Sequence, residues 1–123
     1  MSGSKAASLF QVPARLCNEA DFAVPVALTR SVYAKYVDVP YLTADEQQQC
    51  LWRILRDARK DIDCWWGEDN DMDEFDVDCL VPQGRHECCG TLCTSYVTLK
   101  AVYHTDEAGK TSVVISFPQE AKL

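Results

Sequence analysis

Two groups of residues in this chain have types and spacings that could do chemistry. The first is acidic: Glu68, Asp69, Asp71, Asp73, Glu74, Asp76 and Asp78 follow one another with no Lys or Arg between them. Outside these seven the chain holds twelve acids against twelve bases, so its formal charge of -7 is a local property. Such a carboxylate field can repel nucleic acid, attract a basic protein groove, or keep a loop solvated. Carboxylates also take hard cations, and Asp69, Asp71 and Asp73 have the alternate spacing that opens an EF-hand loop. The template then fails, because Glu74 stands where the sharp turn needs Gly and Leu80 where a bidentate Glu closes the shell. Apolar residues interleave with the charge at Trp65, Trp66, Met72 and Phe75. Aromatic anchors dominate interface energetics. The expectation is therefore a partner surface in which Asp69, Asp71, Asp73, Glu74 and Asp76 make electrostatic contacts, with Trp65, Trp66 and Phe75 as anchors unless the core claims them.

The second group is soft. His86, Cys88, Cys89 and Cys93 fall within eight residues, and Cys79 would face them across a hairpin. These five are candidate zinc ligands, since a tetrahedral site takes such donors. Their spacing departs from paired C-x-x-C knuckles, and adjacent Cys88 and Cys89 point apart in an extended chain. Reduced structural thiols are the competing expectation. A cysteine-dependent enzyme would need a thiol of lowered pKa, a base within reach and an oxyanion donor. Only His86 and His104 supply imidazole, and no family signature surrounds any cysteine. There is no Gly-rich phosphate loop and no H-E-x-x-H motif, so no catalytic residue is assigned. Zinc is the one cofactor these residues raise. Direct nucleic-acid binding would rest on Arg53, Arg56, Arg59 and Lys60, which form no single stripe. With a pI near 4.7, counterion release would be weak and no nucleic-acid partner is expected.

The elements that position these groups follow from periodicity. At 123 residues, with 47% apolar and 25% charged residues, the chain has the size and composition of one globular domain. Residues 1–8 read as a flexible terminus, 9–119 as a single domain and 120–123 as a tail. No apolar run approaches the roughly 20 residues needed to span a bilayer, and Met1-Ser-Gly-Ser-Lys5 leads into no signal-peptide core, so a cytoplasmic protein is expected. The seven cysteines, odd in number, then read as thiols. Ala14 to Phe22 can form a short helix. Val24 to Leu28 carries Pro25, which confines it to an edge strand or a strand start. Thr29 can cap a helix with Val32, Tyr33, Tyr36 and Val37 on one face. Thr43 and Glu46 form a capping box that opens the main helix, about 44–62, whose stripe is Leu51, Ile54, Leu55, Ala58 and Ile62. Arg53 and Asp57 can pair on its outer face. From Phe75 onward Phe75, Val77, Cys79 and Val81 alternate with polar residues as in a half-buried strand. Pro82 to Gly90 reads as a turn or long loop, Tyr96 to His104 and Ser112 to Phe117 as strands. The fold class is α+β: a two-layer domain with one main amphipathic helix packed on an antiparallel meander, about 75–117. Dimerisation through an exposed sheet edge is compatible with it.

Several blocks resemble a known family. Ala14-Arg15 through Asp21-Phe22, Pro25 to Thr29 with Val32-Tyr33, Leu51-Trp52 with Leu55 and Ala58-Arg59, Val97 to Lys100, and the Gly109 to Phe117 strand are similar to domain of unknown function 6573. Its members are small proteins encoded by bacteria, phages and plasmids. The resemblance spans residues 14 to 119, with a longer, more acidic and cysteine-rich stretch from Cys64 to Cys93. It implies a mobile-element accessory protein in a bacterial host, and carries over no catalytic residue. By analogy with small acidic anti-CRISPR and antirestriction proteins, it implies a non-enzymatic inhibitor of a host protein or nucleoprotein complex with a basic groove. A zinc-stabilised regulatory module is the alternative, and a cysteine-dependent enzyme a weaker one.

Overall fold

The computed structural model describes residues 9–66 and 74–121, with side chains described at 9–62 and 74–119. The expected flexible terminus at 1–8, the acids from Glu68 to Asp73 and the last two residues lie outside the described residues. The chain order is β1 (Leu9–Gln11), α1 (Ala14–Glu19), β2 (Val26–Thr29), α2 (Arg30–Tyr36), α3 (Ala44–Trp66), β3 (Glu74–Arg85), β4 (Leu92–Thr105), β5 (Thr111–Ser116) and α4 (Pro118–Ala121). The strands form one sheet in the order β1-β2-β5-β4-β3. All neighbours are antiparallel except β2 and β5, which pair in parallel. The domain is α+β, with helices packed on one face of a mostly antiparallel sheet.

The main helix forms as its cap dictates. Thr43 N–H donates to Glu46 Oε1 at 2.9 Å, and Glu46 N–H donates to Thr43 Oγ1 at 3.2 Å. Two donors that the first turn leaves orphaned are thereby satisfied reciprocally. Leu51, Ile54, Leu55, Ala58 and Ile62 are buried as one stripe. They meet the inward residues of the sheet, Phe75, Val77, Cys79, Val81, Leu99, Ala101, Val113 and Ile115, in a single core that also takes in Val26, Leu28, Val32 and Tyr36. Each large aliphatic side chain so buried contributes about 1.5–3 kcal/mol relative to exposure.

The structure differs from the sequence reading in four places. β3 does not stop at Pro82 but runs to Arg85 through a bulge between Pro82 and Gly84, where Gly84 has φ of 132°. β4 correspondingly starts at Leu92, four residues before Tyr96, and the turn shrinks to the stretch closed by Gly90 N–H to His86 O and His86 N–H to Thr91 O, both 2.9 Å. Pro82 is tolerated because β3 is the last strand of the sheet, so a missing outward N–H removes no ladder bond. β2 starts directly after Pro25, the strand-start alternative of the sequence reading, and lies inside the sheet between β1 and β5, with Val113 N–H donating to Pro25 O at 2.9 Å. Thr29 stands at the N-cap of α2 in extended conformation but makes no side-chain cap bond to the backbone. α4 runs through 120 and 121, which the sequence reading placed in a tail. Among the described residues no helix is long and apolar enough to cross a membrane.

Candidate functional site

The described part of the acidic segment becomes the outward row of β3. Glu74, Asp76 and Asp78 alternate with buried Phe75, Val77 and Cys79, so the two-residue period places the carboxylates on the solvent face. Across the ladder their partners on β4 are Val102, Lys100 and Thr98. Lys100 Nζ lies 3.2 Å from Asp76 Oδ1 and 3.7 Å from Glu74 Oε1, and Thr98 Oγ1 donates to Asp78 Oδ1 at 2.7 Å. Glu74 and Asp76 remain largely in water, with side chains 54% and 66% exposed, so Lys100 offsets only part of their field.

A second acidic row comes from α3. Asp61 Oδ2 accepts a hydrogen bond from Asp78 N–H at 2.7 Å, and Asp57 Oδ2 accepts one from Leu80 N–H at 2.9 Å. The match is geometric. Four residues of helix advance about 6.0 Å and two residues of strand about 6.6 Å, so carboxylates at i and i+4 meet successive outward N–H groups of an adjacent strand. The later Asp meets the earlier strand residue, so α3 runs antiparallel to β3. Between the two clamps, Cys79 Sγ donates to Ile54 O at 3.5 Å inside the core. Burial pushes the Cys79 thiol far above its ordinary range, and the charges of Asp57, Asp61 and Asp78 push it further the same way. Cys79 is therefore an inert core thiol.

Helix and strand enclose an open groove of about 460 Å³ lined by Asp57, Lys60, Asp61, Asp78 and Tyr96. Tyr96 sits opposite Leu80 in the ladder and is 66% exposed, the one large hydrophobic side chain among the described residues to stand so far into solvent. Five carboxylates therefore line or flank the groove against two ammonium groups, Lys60 and Lys100. Its position gives it a rigid floor: every carboxylate is mounted on a helix or strand of the packed core. Two further clefts, of about 200 and 240 Å³, lie near Phe10 and Tyr33 and near Val12 and Phe22, and are walled mainly by apolar side chains.

The expected site residues are only partly brought together. Glu74 and Asp76 are presented together on β3. Asp69, Asp71 and Asp73 lie outside the described residues. Trp65 and Trp66 form the end of α3, and their side chains also lie outside the described residues. Phe75 is taken by the core, 1% exposed and edge-on to Tyr103 with ring centroids 5.9 Å apart, so it is not a surface anchor. The strand period explains this, because Phe75 shares the inward row with Val77. Tyr96 is an exposed aromatic beside the groove carboxylates that the sequence reading did not name as an anchor. Asp57 and Asp61 were missed. Their only sequence signal is an i,i+4 pair at the margin of the apolar stripe, and it acquires meaning once an edge strand is known to lie alongside.

The five zinc candidates do not converge either. Cys79 is in the core opposite Val97, whereas Cys93 pairs with Gly84 beyond the bulge. His86, Cys88 and Cys89 are exposed in the turn. Among the described residues no three His, Cys, Asp or Glu side chains are grouped to hold a metal ion. The helical bases are also dispersed: Arg56 lies over Trp52 at 5.3 Å, Arg59 over Phe22 at 5.7 Å, and Lys60 in the acidic groove. Arg85 pins the hairpin to the start of α3, donating to Tyr41 O, Gly90 O and the Glu46 carboxylate. Compared with protein-family models, with curated proteins and with solved structures, the chain matches none.

Proposed function

We propose that this chain is a non-enzymatic interaction protein, an accessory of a phage or plasmid, which binds a basic groove on a host protein or nucleoprotein complex and competes there with nucleic acid. The observation that carries the reading is the double acidic row on one rigid edge, Asp57 and Asp61 on α3 beside Glu74, Asp76 and Asp78 on β3, with Tyr96 at its rim. Fixed charges of one sign steer a cationic partner over long range and fix its register, and an exposed tyrosine adds apolar area and a ring face for a cation. The mobile-element setting and the inhibitory role come from the family resemblance and its analogy.

The test is capture from bacterial lysate by immobilised wild-type protein and by the variant Glu74→Gln/Asp76→Asn, each at low and high salt. Both residues are exposed, and the neutral forms keep their shape, so thermal stability should stay unchanged. The expected outcome is a partner retained by the wild type at low salt, released at high salt, and held about tenfold more weakly by the variant. Equal retention by both proteins at both salt concentrations overturns the reading.

A further inference from the structure

The turn between β3 and β4 presents two adjacent thiols to solvent. Cys88 and Cys89 are both exposed in the stretch held by the Gly90-to-His86 and His86-to-Thr91 backbone bonds. The other cysteines whose side chains are described are differently placed. Cys17 is buried and its thiol faces Val12 O, Cys79 is buried against Ile54 O, and Cys50 and Cys93 are half-buried. Cys89 has a hydroxyl partner: its Sγ lies 3.1 Å from Thr91 Oγ1. The thiol donates to that oxygen; once the thiol ionises, the hydroxyl can rotate and donate to the sulfur instead. The thiolate is the reacting form in exchange, so a donor held at that distance by the turn favours the nucleophile.

We propose that the tip of the β3–β4 hairpin is a thiol–disulfide exchange site for low-molecular-weight disulfides such as oxidised glutathione, with Cys89 as the attacking thiol and Cys88 as the resolving thiol. The Cys89 thiolate attacks one sulfur of the disulfide, forming a mixed disulfide and expelling one small thiolate. Cys88 gives its proton to that thiolate and attacks the Cys89 sulfur, expelling the second. In sum two protein thiols are oxidised and one small disulfide is reduced to two thiols. The ring that results joins adjacent residues whose Cα atoms are about 3.8 Å apart, closer than an unstrained disulfide prefers. It is consequently reduced readily, and exchange at the tip is reversible. A hydrogen-bonded thiolate agrees with the direction of the Cys89 pKa, which is lowered first by the Thr91 side chain and then by the Thr91 backbone N–H. Burial, by contrast, raises that of Cys50.

The experiment is exposure of the reduced full-length chain to oxidised glutathione near neutral pH, with intact mass and peptide mapping over time. The first adduct is expected on Cys89, followed by loss of the adduct as the two tip thiols oxidise. Cys88→Ser should leave the adduct in place and let it accumulate. Cys89→Ser should abolish the fast phase. Thr91→Val should slow it about threefold, allowing for the lower intrinsic nucleophilicity of a more acidic thiol, and Thr91→Ser should restore it. All three positions are exposed in the turn or at its end, so the fold tolerates the variants. A first adduct on any other cysteine, a fast phase that survives Cys89→Ser, or one that Thr91→Val leaves unchanged overturns the proposal.

Discussion

Asp57 and Asp61 each perform two tasks. They accept backbone N–H groups that would otherwise face outward from the last strand of the sheet, and they supply charge to the groove. The consequence is testable on stability. Asp57→Ala leaves the Leu80 N–H without its acceptor in a half-buried place, and a bond to a charged group is worth about 1.5–3 kcal/mol. Urea denaturation should show a loss of that order, with Asp57→Asn losing less because the amide oxygen still accepts. Asp61→Ala should cost less than Asp57→Ala, since the Asp78 N–H is exposed and water replaces the carboxylate. Glu46 gives a pH dependence. Its carboxyl is held below its ordinary value of 4.5, first by the Thr43 N–H and also by Arg85. The folded state therefore binds the proton less well than the unfolded chain. Its contribution is fully present above about pH 4.5 and is lost as pH falls through the lowered folded value. Glu46→Gln should flatten the fall of urea midpoint with pH in that acid window while leaving its course above the window parallel to wild type.

The elements differ in how far local sequence revealed them. The α3 start was legible because Thr43 and Glu46 sit at the spacing a capping box needs, and the inward row of β3 because Phe75, Val77, Cys79 and Val81 alternate strictly. β1 and the interior place of β2 were not legible. A three-residue strand has no period to detect, and the parallel pairing of Val26 to Leu28 with Val113 to Ile115 joins segments far apart in sequence. Pro82 misled because proline usually ends a strand, whereas its missing N–H here falls on the outward side of an edge strand. The end of α1 is a Schellman motif: Phe22 N–H donates to Cys17 O at 2.9 Å and Asp21 N–H to Asn18 O at 3.1 Å, with Asp21 at φ of 65°. A glycine carries that conformation without a Cβ penalty. Asp21→Gly should raise stability by about 0.5 kcal/mol in equilibrium unfolding, the relief of strain outweighing the entropy of a freer unfolded chain.

At the scale of the molecule, edge protection and charge presentation are one design. Strand addition to β3 is blocked from Asp78 to Pro82, where Asp61 and Asp57 occupy two outward N–H groups and Pro82 has none. That edge is thus unsuited to pairing with another strand, and the proposed partner would meet it through side chains. Asp57→Ala/Asp61→Ala reopens the row of donors and should promote self-association, seen as a concentration-dependent increase in sedimentation coefficient that the wild type lacks under the same conditions. The acidic run itself was visible in the sequence, but its mounting was not. Only the packing of α3 along β3 adds Asp57 and Asp61 to Glu74, Asp76 and Asp78, and only the ladder puts Tyr96 beside them. The most direct test of the account is displacement of labelled duplex DNA from the captured host protein by this chain, followed at rising salt. The account predicts that wild type displaces the DNA, that Glu74→Gln/Asp76→Asn does so about tenfold less well, and that added salt narrows the difference. Displacement equal for the two proteins at every salt concentration, or none by either, would contradict it.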